Sequence, residues 1–75
     1  MIKEHERIIL TTDLAAEGLC AGDVGVVVHI NITGQAYEVE FVALDGETVT
    51  VATLLESQVR PIARGEIAHA RRLIA

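Results

Sequence analysis

Apolar and polar residues alternate with a period of two along most of this chain. Ile8 and Leu10 share one side of a run over residues 6–12. Val24, Val26, Val28 and Ile30 alternate with Gly25, Val27 and His29. Tyr37, Val39 and Phe41 alternate with Glu38, Glu40 and Val42, and Val49 and Val51 repeat the pattern once more. Successive side chains of a strand point to opposite faces, so this period predicts strands over residues 6–12, 22–30, 36–42, 47–53 and 59–62. Turn residues separate the runs. Asn31 to Gln35 reads as a hairpin loop and Asp45-Gly46 as a tight turn. Residues 54–58 fit a short turn or a single 3-10 turn, and Pro61 confines the last strand to an edge or terminus. Residues 13–21 are too irregular for a strand. Asp13 is expected to cap a single helical turn through Ala15 and Ala16, closed by Gly18. Gly25 inside a strand points to a bulge, a bend or a close backbone approach.

The period changes at the end of the chain. Ala63, Ile67, Ala70 and Ile74 are spaced 4, 3 and 4 apart, with Leu73 beside them. That spacing marks one face of an amphipathic α-helix over residues 63–75, and Arg71 and Arg72 in its last turn favour the helix dipole. The expected architecture is therefore mainly β. It is an SH3-like small barrel of about five antiparallel strands over residues 1–62, followed by a C-terminal α-helix that packs on the same barrel or on a neighbouring subunit. The expected core is Ile8, Leu10, Val24, Val26, Val28, Ile30, Tyr37, Val39, Phe41, Val49, Val51 and Val59.

The run from Ala21 to Val28 resembles the Gly-Asp-x-Gly-x-Val signature of SH3-like barrels, as in KOW-type domains and nitrile hydratase β-subunits. A wider set is closer to one family. Thr12-Asp13, Glu17-Gly18-Leu19, Gly22-Asp23-Val24-Gly25, Tyr37-Glu38-Val39-Glu40-Phe41 and Val59-Arg60-Pro61 together resemble the short bacterial proteins of domain of unknown function 4926. The resemblance covers about residues 3 to 62 and omits the tail. It implies an SH3-like fold. It implies no activity and brings no catalytic or binding residues.

Composition narrows the functional classes. Seventy-five residues make one domain, and half of them are apolar, with one Tyr and one Phe as the aromatics. A domain this small buries a modest core and often gains stability from disulfides, metals or self-association. Cys20 is the lone cysteine and cannot form an internal disulfide. That leaves oligomerisation as the expected compensation. The charged start MIKEHERIIL does not read as a signal peptide, and no apolar run reaches membrane-spanning length, so a cytoplasmic location is expected.

Candidate chemistry is sparse. Cys20 with His29 or His5 lacks the spacing of a nucleophile, base and orienting group. His5, His29 and His69 do not form the close ligand pairs of a metal site. Glu38 and Glu40 share a strand face, where they read as a solvated stripe or a partner-binding patch. Gly22 and Gly25 are followed by valines, not by the helix or lysine that a phosphate cradle needs. No catalytic residue, metal or cofactor is expected.

Charge is unevenly distributed. Residues 1–59 hold ten acidic and two basic side chains, and residues 60–75 hold four arginines and Glu66. An acidic body repels nucleic acid, which requires a basic surface. It attracts its own basic tail, a neighbouring copy's tail or a basic partner. The expected function is a non-catalytic protein-binding module, self-associating, with Glu38, Glu40, Ile67, Ala70, Arg71 and Ile74 as candidate contacts. Two alternatives stand beside it. One is an antitoxin or immunity-type neutraliser of a basic partner protein. The other is an accessory subunit of an enzyme.

Overall fold

A computed structural model describes residues 2–31, 33 and 35–73. Five strands form one antiparallel sheet: β1 (Arg7–Leu10), β2 (Val24–Asn31), β3 (Ala36–Val42), β4 (Thr48–Leu55) and β5 (Val59–Pro61), in the order β4-β3-β2-β1-β5. The sheet is not closed into a barrel by hydrogen bonds, because β4 and β5 are its two ends. A 3-10 turn at Glu56–Gln58 carries the chain from one end to the other. Gln58 holds that turn by accepting the Leu55 N–H on its side-chain oxygen at 2.8 Å.

The loop between β1 and β2 contains the expected helical turn, a 3-10 turn at Ala15–Glu17 ended by Gly18 at φ 73°. Asp13 does not cap it. Its carboxylate instead accepts the Ala21 N–H at 2.9 Å, tying the two ends of the loop together. Leu14 and Leu19 pair as a short bridge between them.

The core consists of Ile8, Leu10, Leu19, Val27, Tyr37, Val39, Phe41, Ala52, Leu54 and Val59, with Ile2, Leu14, Ile30 and Val49 packed partly against it. The sheet turns β2 over relative to the sequence expectation. Val24, Val26 and Val28 were expected inside; Val24 and Val28 are 38% and 39% exposed, and Val26 is half-buried. Gly25 and Val27 face the core in their place. A Cβ built on Gly25 would lie 2.5 Å from Val39 Cγ1 and 2.9 Å from Phe41 Cε1. The absence of that carbon lets two core side chains of β3 rest against the β2 backbone. A β-bulge then restores the expected parity: Val27 pairs with Val39 and His29 with Glu38, so Val28 is the unpaired extra residue and Ile30 returns to the core side. A second irregularity has the opposite effect in β4 and shifts the strand away from the expected parity. Phe41 pairs with Thr50 and Val42 with Thr48, leaving Val49 as the extra residue. Val49 leans on the core, whereas Val51, expected inside, faces out and Ala52 and Leu54 fill the interior.

The expected C-terminal helix does not form among the described residues. Residues 62–73 carry no regular structure apart from a turn at Arg64-Gly65, where Gly65 has φ 83°. Short isolated helices are marginal in water, and a glycine near the start raises the cost of the first turn. Two ion pairs to the body hold the segment open instead. Ile74 lies outside the described residues.

The Gly25 contact generates a stability prediction. Gly25→Ala should lower the unfolding free energy by about 1–3 kcal/mol, the usual cost of overpacking a filled core. Urea unfolding followed by circular dichroism measures it. An unchanged midpoint would contradict the inward placement of Gly25.

Candidate functional site

The outer side of the sheet, with the tail lying across it, is the most developed surface feature of the chain. Residues paired across antiparallel strands share a face, so the register places Val24 beside Ile9, and Ile9 beside Arg60, all pointing outward. Ile9 is nevertheless only 8% exposed and is not part of the core cluster. It lines an open space of about 930 Å³ together with Val24, Val26, Ile62, Ile67 and Leu73, and the space also reaches Leu19, Phe41 and Val49 of the core side. The tail borders the same space as a strap without filling it, and Ile67 remains 92% exposed.

Two guanidinium–carboxylate forks fix the strap. At its start, Arg60 donates from Nη1 and Nη2 to the two Glu66 oxygens, at 2.9 and 2.6 Å. Glu66 also accepts the Ala63 N–H at 2.6 Å, so one carboxylate closes the turn that Gly65 makes. The hydrogen bonds from Arg60 and Ala63 bring the Glu66 carboxyl down to about 2. Near its end, Arg71 donates from Nε to Asp23 Oδ1 at 2.9 Å, from Nη2 to Asp23 Oδ2, and from Nη2 to the Gly18 carbonyl at 3.1 Å. Partial burial pushes the Asp23 carboxyl up, but the hydrogen bonds from Arg71 and the Cys20 N–H, with the Arg71 charge, outweigh it and hold the group below its ordinary value. Bidentate pairing of this kind fixes orientation as well as charge.

The described residues proposed from the sequence as contacts lie on two elements. Glu38 and Glu40 lie on the outward face of β3, where Glu38 accepts the Thr53 hydroxyl at 2.9 Å and Glu40 the Thr48 hydroxyl at 2.7 Å. Ile67, Ala70 and Arg71 lie on the strap, and only Arg71 has a fixed partner among the polar contacts described here. Glu40 borders the same open space as Ile67, Ala70 and Arg71, but the carboxylate that Arg71 pairs with is Asp23. Asp23 was read from sequence as the start of the strand over residues 22–30 and as part of the Gly-Asp-x-Gly signature, not as a contact. Its pairing with a residue 48 positions away left no local trace.

Cys20 is half-buried in the β1–β2 loop and its N–H donates to Asp23 Oδ2 at 2.8 Å. His29 stands on the outward side of β2 with Nδ1 3.7 Å from Glu4. Among the described residues no cluster of three His, Cys, Asp or Glu side chains is placed to hold a metal ion. No helix of the described residues is long and apolar enough to cross a membrane.

The Glu66 fork predicts a pH step. Because its carboxyl titrates lower in the folded chain than its ordinary 4.5, the fork's stabilisation is complete above that value and is lost as the pH falls through about 2. The Ala63 amide resonance should therefore titrate across this window in wild type and not in Glu66→Gln. A titration in both, or in neither, would contradict the pairing.

No curated protein and no solved structure matches this chain. One family does: the family described as "Domain of unknown function (DUF4926)" matches residues 4–61, which spans all five strands and stops before the strap. By that match the chain belongs to the DUF4926 family.

Proposed function

We propose that this chain is a non-catalytic protein-binding module with an SH3-like barrel, and that it self-associates through the free edge of β4. The strand order and the 3-10 turn that precedes β5 support the SH3-like reading. The single observation behind the self-association is the character of β4. It is eight residues long, reads Thr-Val-Thr-Val-Ala-Thr-Leu-Leu, and contains no charge and no proline. Among the described residues no strand pairs with its outer edge. Proteins usually blunt such an edge with charges, proline or short length. The opposite end of this sheet does so, since β5 has three residues and includes Arg60 and Pro61.

A second copy is the occupant that β4 fits. An antiparallel edge is self-complementary across a two-fold axis. Two copies of a body with ten acidic and two basic residues repel each other, and β4 is a stretch along which they can approach without placing like charges opposite. Val51 and Leu55, 52% and 57% exposed, would gain cover beside the joint. The same acidic body favours a second reading, a neutraliser of a basic partner protein.

Size-exclusion chromatography with light scattering tests the proposal. Wild type should approach twice the 8.1 kDa chain mass as concentration rises, and Val51→Lys, which places like charges across the joint, should remain at one chain mass. Wild type at a single chain mass at all concentrations, or an unaffected V51K dimer, would overturn it.

A further inference from the structure

The Arg71 seat has a property that the rest of the strap lacks: it is built without the strap. Asp23 is oriented by the Cys20 N–H at 2.8 Å. Its own N–H donates to the Cys20 carbonyl at 3.0 Å, and Gly22 donates to the Leu10 carbonyl at 2.7 Å. The Gly18 carbonyl is presented by the residue that ends the 3-10 turn, and the Leu14–Leu19 bridge closes the loop behind it with backbone bonds of 2.9 and 3.1 Å. Every one of these supports comes from residues 10–23. Three acceptors, the two Asp23 oxygens and the Gly18 carbonyl, thus converge on one guanidinium from a loop that owes nothing to residue 71.

The strap, by contrast, is lightly held. Residues 67–70 are all exposed, and Ile67 touches little of the apolar strip below it. That strip, formed by Val24, Val26 and Ile9, begins next to the seat and borders the open space of about 930 Å³. Arg71 therefore behaves as a tethered ligand in a site whose acceptors and apolar floor are already in place.

We propose that the Asp23–Gly18 seat and the adjoining valine strip form a docking site for an extended, arginine-bearing segment of a partner protein, with the chain's own strap as its internal competitor. The seat selects arginine over lysine, because the fork satisfies three acceptors with planar donors that an ammonium cannot match. The acidic body draws a basic segment toward it. Tethering raises the strap's local concentration, so a partner binds when it offers more contact with the strip than residues 67–70 do. This inference rests on reading the chain as a protein-binding module, but uses Asp23, Gly18 and the valine strip rather than the outer edge of β4.

The probe is a synthetic peptide of residues 62–73 of this chain, titrated by NMR into full-length variants, with the Cys20 and Asp23 amides as reporters. The peptide should bind Arg71→Ala at least 10-fold more tightly than wild type, whose own strap competes. Its R71K version should lose most of that affinity, and the double variant Arg71→Ala/Asp23→Asn should show none. Full-length Arg71→Lys serves as a second acceptor that keeps the charge and loses the fork. No binding to either acceptor, or equal binding with and without Asp23, or equal binding of the arginine and lysine peptides, would overturn the proposal. The same titration in the V51K background separates the two ideas: peptide binding should persist there whatever the oligomeric state.

Discussion

The close approach of β3 side chains to the β2 backbone at Gly25 is the constraint on which the rest of the structure depends. Val39 and Phe41 occupy the volume that any Cβ at this position would need. Once they are seated there, the face of β2 that carries Gly25 must be the inner one, and the face that carries Val24 and Val26 must be the outer one. A short chain has few side chains with which to fill an interior. Bringing the backbone of one strand into contact with the large residues of the next removes a void that this composition, with one Phe and one Tyr, could not otherwise fill.

That inversion creates the surface that the functional argument uses. An antiparallel sheet with one solvated face ordinarily turns polar residues outward. Here the outer side of β2 begins with Val24 and Val26, and the chain's own tail borders them, held by Arg60–Glu66 at one end and Arg71–Asp23 at the other. Contiguous apolar surface on a small protein marks an interaction site. Self-pairing would use the outer backbone edge of β4 and partner docking would use Asp23, Gly18 and the valine strip, so the two draw on different groups even though Thr50 of β4 donates to Glu17 of the loop that carries the seat.

Much of the fold was legible in the sequence, because turn residues and period-two runs are local signals. All five strands, both short helical turns and the edge position of β5 follow from them. The facing of β2 was not legible. Val24 to Ile30 alternates cleanly, and hydrophobicity alone sends its four larger residues inward. Only the packing of Val39 and Phe41 against Gly25 reverses that choice, and the bulge at Val28 hides the reversal by returning Ile30 to the core side. Val51 was misplaced for a related reason, since the extra residue at Val49 changes the phase of β4. The tail failed differently. Its 4-3-4 spacing is a true helical pattern, but the segment turns at Gly65 and pairs Glu66 with Arg60 of β5 and Arg71 with Asp23, 48 positions back. Arg71 was identified among the candidate contacts; Asp23, its partner, was not, because no local pattern signals a pair 48 positions apart.

The facing of β2 is the central claim, and nuclear Overhauser contacts measure it directly. Contacts from the Gly25 α-protons to the Val39 methyls and the Phe41 ring, with none from the Val24 and Val26 methyls to Phe41 or Leu54, are the predicted result. Strong contacts from Val24 and Val26 into the Phe41–Leu54 interior would contradict it.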